Sequence, residues 1–507
     1  MQNDFLSWKI KKELIPLIIA TSIIFSILFL NFLPEFTGFP YWDHDFAYLS
    51  SFGMVNSHDA RWFGDILGLL TGNDMIPSLA LLWSHLFRAL GTVCAVYFLC
   101  RSEQCFPLVL GALIIALSPE NLPHYMYRFQ TILYPVPLVL ISFGLLVVES
   151  RGLLYFIVGC LCMLCAFGTH PAAANSALVL VGGRMLFSML NNEFWNNLHD
   201  IIRYLGICIF GMFGQLCITK ILTMLGVATI YNTRTISLSE LFGNIKLIIL
   251  QSFQNMDVTL NQAYMPNFSK LLILILIAFC LLCMLKKFAK ESIVKALLAL
   301  LLFFTLIPLS RIVLAISGAY TMHYRVGSFG TTVLTGFFLI FLFFLVKNYK
   351  IRLLTTGISI LIIYIFFSQN FLFQRHMRDQ FISDILYAQR VVDRIEQLDG
   401  LNETQTLSIV FIGTQPYNAK MYWKNYNYSQ SIEELRRSSM APWMPDQILR
   451  YVAPNLQLRN TPLDTIEDTE LREKIRIHAK KHTWPDKESI ARVGDIIICV
   501  LDNRSLQ

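Results

Sequence analysis

The residues best suited to chemistry lie near the N-terminus, in a polar segment that directly follows the first long apolar stretch. The segment contains Trp42-Asp43-His44-Asp45 and Tyr48, then Arg61-Trp62-Phe63 and Asp65. A carboxylate can take a proton from a hydroxyl group, and an arginine can hold a phosphate through two parallel hydrogen bonds. Aromatic rings can stack on the apolar face of a sugar. The segment therefore predicts a site beside a membrane for a reaction on a lipid-linked substrate.

A plainer interpretation of the same residues is also open. Trp and Tyr are enriched at membrane interfaces as anchors. Arg61 and Asp65 are four residues apart and could form a helical ion pair of about 0.3–0.5 kcal/mol. We interpret Asp43 and Asp45 as functional, and we leave both interpretations of Arg61 open.

Further cations lie inside or beside apolar segments. Arg88 is near the middle of one segment, with His85 one turn earlier, and Arg311 lies within another. An arginine inside a membrane is costly and usually faces a polar cavity or an anionic partner. Arg88 could therefore line a tunnel for a lipid phosphate, or it could bond to polar groups of a neighbouring helix.

Two short connections carry further candidates. Arg128 and Arg325 are predicted phosphate ligands at the membrane face, and His323 and Tyr324 beside Arg325 are predicted to contact the substrate. The other predicted substrate contacts are Trp42, His44, Tyr48 and Asp65. His170, which precedes Pro171, is interpreted as structural.

The composition places these residues on a polytopic membrane protein that is mainly α-helical. Hydrophobic residues form 55% of the 507 and charged residues only 15%, compared with about 25% charged in soluble domains. Apolar blocks are long enough for helices of about 20 residues. We predict about eleven transmembrane helices, at 14–33, 76–100, 105–118, 131–148, 153–168, 173–190, 204–226, 270–285, 296–318, 329–346 and 352–370.

Basic residues predict the orientation of these helices. With the N-terminus in the cytoplasm, every short cytoplasmic connection carries Lys or Arg, as the positive-inside rule requires. The predicted outer segments then include a first outer loop, 34–75, and a further outer loop, 227–269. Eleven crossings leave the C-terminus outside the cytoplasm.

The chain divides into a transmembrane domain, 1–370, and an extracytoplasmic domain, 371–507. In the second domain, 378–398 and 465–480 have helical patterns, while Thr406–Gly413 and Ile496–Leu501 resemble buried strands. These patterns predict a small C-terminal α/β domain.

Several classes of site have no sequence signal. There is no Gly-rich phosphate loop and no nucleophile elbow, and Cys160, Cys162 and Cys165 fit helix packing better than metal binding. We expect no cofactor, although a divalent metal is compatible with the sequence. The net charge of +7 is explained by the membrane topology, so no nucleic-acid partner is expected.

The layout and two local motifs resemble a known family, the integral-membrane O-antigen glucosyltransferases of bacteria and phages that convert serotype and have GT-C architecture. The motifs are Asp43-His44-Asp45 followed by Arg61-Trp62-Phe63, and Tyr324-Arg325-Val326-Gly327. The family typically has an adjacent acidic pair and a glycine before the arginine. Here His44 splits the pair and Ala60 precedes Arg61.

The resemblance implies a glucosyl transfer at the outer side of the bacterial cytoplasmic (inner) membrane, with a periplasmic C-terminal domain. The donor would be a polyprenyl-phosphate sugar, undecaprenyl-phosphate glucose, and the acceptor a hydroxyl of lipopolysaccharide O-antigen. Asp43 or Asp45 would be the base of an inverting displacement. Arg61, Arg88, Arg128 and Arg325 would be the candidate phosphate ligands. The alternatives are a GT-C transferase for another lipid-linked sugar, an O-antigen polymerase, and a non-enzymatic transporter or flippase.

Overall fold

The structure is a computed structural model, and it describes residues 2–37, 61–71, 77–126, 128–227, 238–254, 267–315, 324–398, 406–413 and 445–501. These residues fall into two compact units. The first unit contains the described residues of Met1–Phe36 and Met54–Phe373, and the second contains Thr37, the last residue of a short helix, and the described residues from Gln374 onward.

The first unit is built from helices. Its α-helices are α1 Gln2–Asn31, α2 Leu33–Thr37, α3 Trp62–Thr71, α4 Pro77–Cys100, α5 Cys105–Leu117, α6 Val136–Val147, α7 Leu153–Thr169, α8 Ala174–Leu190, α9 Leu198–Met224, α10 Leu238–Gln254, α11 Asn267–Glu291, α12 Ile293–Leu309, α13 Tyr324–Leu345 and the first part of α14 Tyr349–Glu396. Two 3-10 helices connect α5 to α6, namely η1 Pro119–Met126 and η2 Arg128–Leu133.

Seven of the described helices are long and apolar enough to cross a membrane, and four shorter apolar helices accompany them. Together they occupy the positions of the eleven predicted spans. The prediction of a helical membrane protein is confirmed, while the number of crossings stays a prediction because the four shorter helices have at most 17 residues.

Burial separates the helices that face lipid from those in the centre. On α9, large apolar side chains such as Ile209 and Phe213 are about two-thirds exposed, which a protein in water would avoid over so long a surface. By contrast, α8 and α13 are almost completely buried. The apolar surface of α9 is therefore suited to lipid, and α13 forms the centre of the bundle.

The connection between α5 and α6 is buried although it is not α-helical. The two helices have 13 and 12 residues, so each spans only about 20 Å, less than a bilayer core. Glu120 and Asn121 of η1 are buried, and the Asn121 side chain donates to the Ile115 carbonyl at 2.8 Å. Irregular backbone at membrane depth requires this kind of protein surrounding.

Close helix packing at α13 depends on a glycine. A Cβ atom built on Gly330 would lie well inside van der Waals contact with the Ser310 carbonyl group, which follows the end of α12. The obstacle is backbone and cannot rotate away. Gly330 therefore allows α13 to approach the end of α12.

We expect Gly330→Ala to lower the free energy of unfolding by roughly 1–3 kcal/mol because it overpacks this contact. The apparent melting temperature of the purified protein in detergent measures the effect. Gly357→Ala is the matched control, since Gly357 is also helical and has no atom within 4 Å of its added Cβ. Equal melting temperatures for the two variants would contradict the packing role of Gly330.

Several boundaries differ from those predicted, and two of them change the description of the fold. The predicted ninth span included Arg311, but α12 ends at Leu309 and Arg311 follows in a turn, so the prediction that this arginine is helical was wrong. The predicted eleventh span and the predicted helix 378–398 form one continuous helix, α14, of 48 residues. No glycine or proline lies between them to end the helix.

The second unit contains a four-stranded sheet. Its remaining elements are β1 Leu407–Ile412, α15 Pro445–Val452, β2 Leu458–Asn460, α16 Thr469–Lys481, β3 Ile490–Val493 and β4 Ile496–Val500. The strand order is β2-β1-β4-β3, with β1 parallel to β2 and β4, and β3 antiparallel to β4. This arrangement confirms the two predicted strands.

Both faces of this sheet are covered. Successive side chains of a strand point to opposite faces, and β1 has apolar side chains on both. Ile409 packs in one cluster with Val391 of α14 and Leu449 of α15, while its neighbour Val410 packs with Ile475 of α16. The Asp468 side chain caps α16 by accepting from two backbone N–H groups, at 2.9 and 3.0 Å.

Candidate active site

Six of the twelve predicted site residues belong to segments that the structure does not describe. Trp42, Asp43, His44, Asp45, Tyr48 and His323 lie outside the described residues. Arg128 begins η2, and Tyr324 and Arg325 begin α13, but their side chains are also outside the described part. The roles assigned to these residues remain predictions.

Arg61 and Asp65 are one turn apart at the start of α3. Arg61 directly precedes the helix and is half-buried, and the Asp65 backbone N–H donates to the Arg61 carbonyl at 3.2 Å. Their predicted contacts with phosphate and substrate are untested by this geometry. The structure does show which contacts fix Trp62, the residue that follows Arg61 and begins α3.

Trp62 anchors α3 to two neighbouring helices. Its indole N–H donates to the side-chain oxygen of Gln215 on α9 at 2.6 Å. Its ring also lies over Gly168 of α7, where a Cβ atom would come within 2.5 Å of the indole. Gln215 is buried, and its amide also donates to the Thr219 hydroxyl at 3.3 Å. Trp62 therefore fixes the start of α3, and Arg61 with it.

We expect Trp62→Phe to reduce about tenfold the glucosyl transfer that the resemblance implies, because it removes a buried interhelical hydrogen bond worth roughly 1–2 kcal/mol and loosens the residue next to Arg61. Gly168→Ala should have a similar effect by displacing the ring. The measurement is the initial rate of transfer in membranes, and Gly357→Ala is the control for the second variant. Unchanged rates for both Trp62→Phe and Gly168→Ala would show that the position of α3 does not matter for transfer.

Arg88 lies in a separate buried cluster between α4 and η1. Its guanidinium carbon is 5.0 Å from the ring centroid of Tyr125. The His85 ring is 5.6 Å from Tyr125, and Phe32 of the first unit packs against both rings. Arg88 is 5% exposed, Tyr125 1% and His85 0%.

The polar atoms of this cluster have few protein partners. Within the described chain, Nε and Nη2 of Arg88, both ring nitrogens of His85 and the Tyr125 hydroxyl make no hydrogen bond. A buried polar group without a partner costs free energy, and a buried cation costs more. The cluster therefore has the donors, the charge and the burial of an anion site. The described contacts of Arg88 include neither Arg61 nor Asp65.

A second buried polar group joins η1 to α13. The Glu120 carboxylate accepts a hydrogen bond from the Thr331 hydroxyl and interacts electrostatically with Arg311. Burial raises the pKa of Glu120 from 4.5 to about 7, although Thr331 and Arg311 act in the opposite direction. Burial likewise lowers the pKa of Arg311 to about 10, against the effect of Glu120.

Aromatic and imidazole rings also pack between η1 and α13. His124 of η1 stacks on Tyr134 with centroids 4.1 Å apart, and its Nε2 lies 2.9 Å from the Ser328 hydroxyl. Phe329 of α13 lies between His124 and His170, at 5.2 and 4.7 Å. The interpretation of His170 as a structural residue stays a prediction.

Sequence reasoning missed Glu120 and Tyr125 and did not include His85 among the site residues. A signal for η1 is present in the sequence, since it is a polar stretch between two apolar segments too short to cross a bilayer. Such a connection must be buried in the protein. Among the described residues, no group of three or more His, Cys, Asp or Glu side chains could hold a metal ion.

Comparison with known proteins identifies the chain. No curated protein matches it. Residues 36–343 match the family described as glucosyl transferase GtrII. The match covers more than half of the chain, from Phe36 almost to the end of α13, and includes all four predicted phosphate-binding arginines. The resemblance seen in the sequence is therefore confirmed, and the chain belongs to the glucosyl transferase GtrII family, whose members are glycosyltransferases.

Proposed function

We propose that this membrane glucosyltransferase transfers glucose from a polyprenyl-phosphate donor, undecaprenyl-phosphate glucose, to a hydroxyl of lipopolysaccharide O-antigen at the outer side of the bacterial inner membrane. The proposal rests on the family and on one structural observation. That observation is the buried Arg88, whose guanidinium nitrogens Nε and Nη2 have no hydrogen-bond partner in the described residues.

The observation favours a phosphate-bearing lipid as the donor. An intramembrane arginine usually faces an anionic partner, and a phosphate is the anion that its planar donors fit best. A donor embedded in the bilayer can bring its phosphate to a site among helices, which a water-soluble nucleotide sugar cannot do without crossing lipid. Arg61, Arg128 and Arg325 are proposed as further phosphate ligands.

The reaction requires little else. The acceptor oxygen attacks the anomeric carbon and the bond from that carbon to the phosphate oxygen breaks, so that polyprenyl phosphate leaves. The hydroxyl proton passes to a carboxylate, which we assign to Asp43 or Asp45. One direct displacement inverts the configuration at the anomeric carbon. Trp42, His44, Tyr48, Asp65, His323 and Tyr324 are proposed to contact the sugars, and no cofactor takes part.

The test is sugar transfer in membranes that contain the protein, labelled polyprenyl-phosphate glucose and an O-antigen acceptor. Wild type should transfer label, and either Asp43→Asn or Asp45→Asn should reduce the rate by two or more orders of magnitude, in line with the roughly 10²–10⁴-fold contribution of a general base. Absence of transfer by folded wild type would reject this donor and acceptor. A panel of other lipid-linked sugars would then distinguish a related transferase from a transporter.

A further inference from the structure

Three buried polar side chains in the first unit lie close together without forming hydrogen bonds to one another. Arg88 and His85 lie one turn apart on the same face of α4, and Tyr125 reaches them from η1. Hydrophobic packing alone does not explain the cluster, since five of its polar atoms lack hydrogen bonds throughout the described structure. An apolar replacement would remove that penalty, so the three polar groups together indicate a ligand.

The ligand they fit carries negative charge and accepts several hydrogen bonds. Arginine supplies fixed positive charge and fork-shaped donors, and the imidazole donates one hydrogen bond in either neutral tautomer. Burial raises the pKa of the Tyr125 hydroxyl above 10, although Arg88 acts to lower it, so the hydroxyl is protonated and can donate at neutral pH. No carboxylate is among the described contacts of Arg88.

The charge on a lipid phosphate changes during transfer. The sugar donor is a phosphodiester with one negative charge, whereas the carrier that leaves is a phosphomonoester with about 1.5–2 negative charges at neutral pH. A site with a buried cation and two further donors should stabilise the charge that develops as the sugar leaves. Such differential stabilisation lowers the barrier to transfer.

We propose that His85, Arg88 and Tyr125 together bind the phosphate of the lipid carrier, and that this site holds the carrier more tightly after the sugar has left than before. The inference rests on the proposed donor and adds two catalytic residues, His85 and Tyr125, together with a charge preference. It also implies that the released polyprenyl phosphate inhibits the enzyme.

The surroundings favour a lipid phosphate over free phosphate. Phe32 and Phe36 lie 4.9 and 6.2 Å from the His85 ring, centroid to centroid. These aromatic faces provide an apolar wall beside the donors. A prenyl chain can contact such a wall, whereas inorganic phosphate gains nothing from it.

The test is binding to the purified full-length protein in detergent, measured by calorimetry with three probes. The probes are farnesyl phosphate, its methyl diester and inorganic phosphate. We expect wild type to bind the monoester at least about tenfold more tightly than the diester, and to bind inorganic phosphate more weakly than either. Tyr125→Phe and His85→Leu should each weaken monoester binding by about tenfold, the effect of one lost hydrogen bond to a charged group, and should reduce the preference over the diester.

Tyr387→Phe is the matched control, because Tyr387 of the second unit also has a buried hydroxyl with no hydrogen bond in the described structure. It should bind all three probes as wild type does. The melting temperature of each unliganded variant checks that it is folded. The comparison of monoester with diester in wild type needs no variant and tests the charge preference directly.

Equal affinity of wild type for the monoester and the diester would overturn the inference, as would an unchanged preference in both folded variants. If inorganic phosphate bound as tightly as the monoester, the cluster would be a site for free phosphate and the proposed lipid-phosphate site would be rejected. A monoester preference without transfer from the glucose donor would support the lipid-phosphate site while rejecting the proposed reaction. Transfer without the preference would reject the inference alone.

Discussion

Arg88→Met is expected to lower glucosyl transfer at least about 100-fold without making the protein less stable. Loss of one preorganised donor at a developing negative charge typically costs a factor of 10²–10³ in rate, and Arg88 also supplies the charge. Methionine is unbranched and apolar, and it fills irregular gaps between side chains, so it keeps most of the packing of the arginine stem.

Stability should change in the opposite direction from activity. In the unliganded protein, the Arg88 guanidinium is buried beside the Tyr125 ring, and its Nε and Nη2 have no hydrogen bond within the described chain. Removing an uncompensated buried charge lowers a desolvation penalty, and apolar replacements of buried charged groups are often neutral or stabilising. If the arginine only held helices together, its replacement would lower stability and leave the transfer rate of the folded protein largely unchanged.

The measurements are the transfer rate in membranes and the apparent melting temperature in detergent. Arg184→Met is the matched control, because Arg184 is also a helical arginine but donates to the Leu99 carbonyl, at 3.2 Å. It should keep most of the transfer and lose some stability. If Arg88→Met retained transfer, or if it melted well below wild type while Arg184→Met did not, Arg88 would be a structural residue.

The helical part of this fold is predictable because its physical cause is local. A helix such as α11 is an almost unbroken apolar run, and in lipid such a run must satisfy its backbone hydrogen bonds internally. Basic residues such as Lys286 and Lys287 end the apolar run, and the helix continues to Glu291. Strands β1 and β4 were predicted for a similar reason, since each is a short run of buried Ile and Val.

The elements that were not predicted depend on tertiary contacts. The strand β2 has only three residues and exists because its backbone pairs with β1. The 3-10 helix η1 has a polar sequence typical of an exposed loop, yet Glu120 and Tyr125 are buried because the short helices α5 and α6 keep it within the bundle. No periodicity within η1 itself indicates this position.

In the candidate site too, some residues could be identified from the local sequence, while others depend on tertiary contacts. Arg88 was identified from the sequence because a charge inside an apolar segment is conspicuous. Tyr125 is 37 residues away in the sequence, and an isolated tyrosine at a membrane edge is usually an interfacial anchor. Only the return of η1 against α4 brings the two side chains together. Trp62 and Gln215 meet for the same reason, because α3 packs against α7 and α9.

Glu120→Gln should remove a pH dependence of stability that the buried carboxylate causes. The pKa of Glu120 is raised from 4.5 to about 7, so the native state binds the proton more tightly than the unfolded chain does. Its stabilising contribution is therefore complete below pH 4.5 and is lost as the pH rises through about 7.

These two pKa values correspond to about 2 kcal/mol of stability lost between about pH 5.5 and pH 9. Glutamine cannot ionise, and its amide can still hydrogen-bond to Thr331. The variant should therefore exceed wild type in melting temperature by a small margin near pH 5.5 and by a clearly larger margin at pH 9, where wild type must bury a carboxylate. The burial penalty exceeds the favourable effects of Thr331 and Arg311, as the raised pKa shows.

Apparent melting temperatures from about pH 5.5 to pH 9 in detergent test this expectation. The quantity to compare is the difference between the variant and wild type at each pH, because other groups titrate equally in both proteins. Glu291→Gln removes an exposed carboxylate that pairs with Lys295 and should leave the pH dependence of wild type unchanged. If Glu120→Gln kept that dependence as well, Glu120 would be ionised throughout the range, and its attraction to Arg311 would outweigh the cost of burying it.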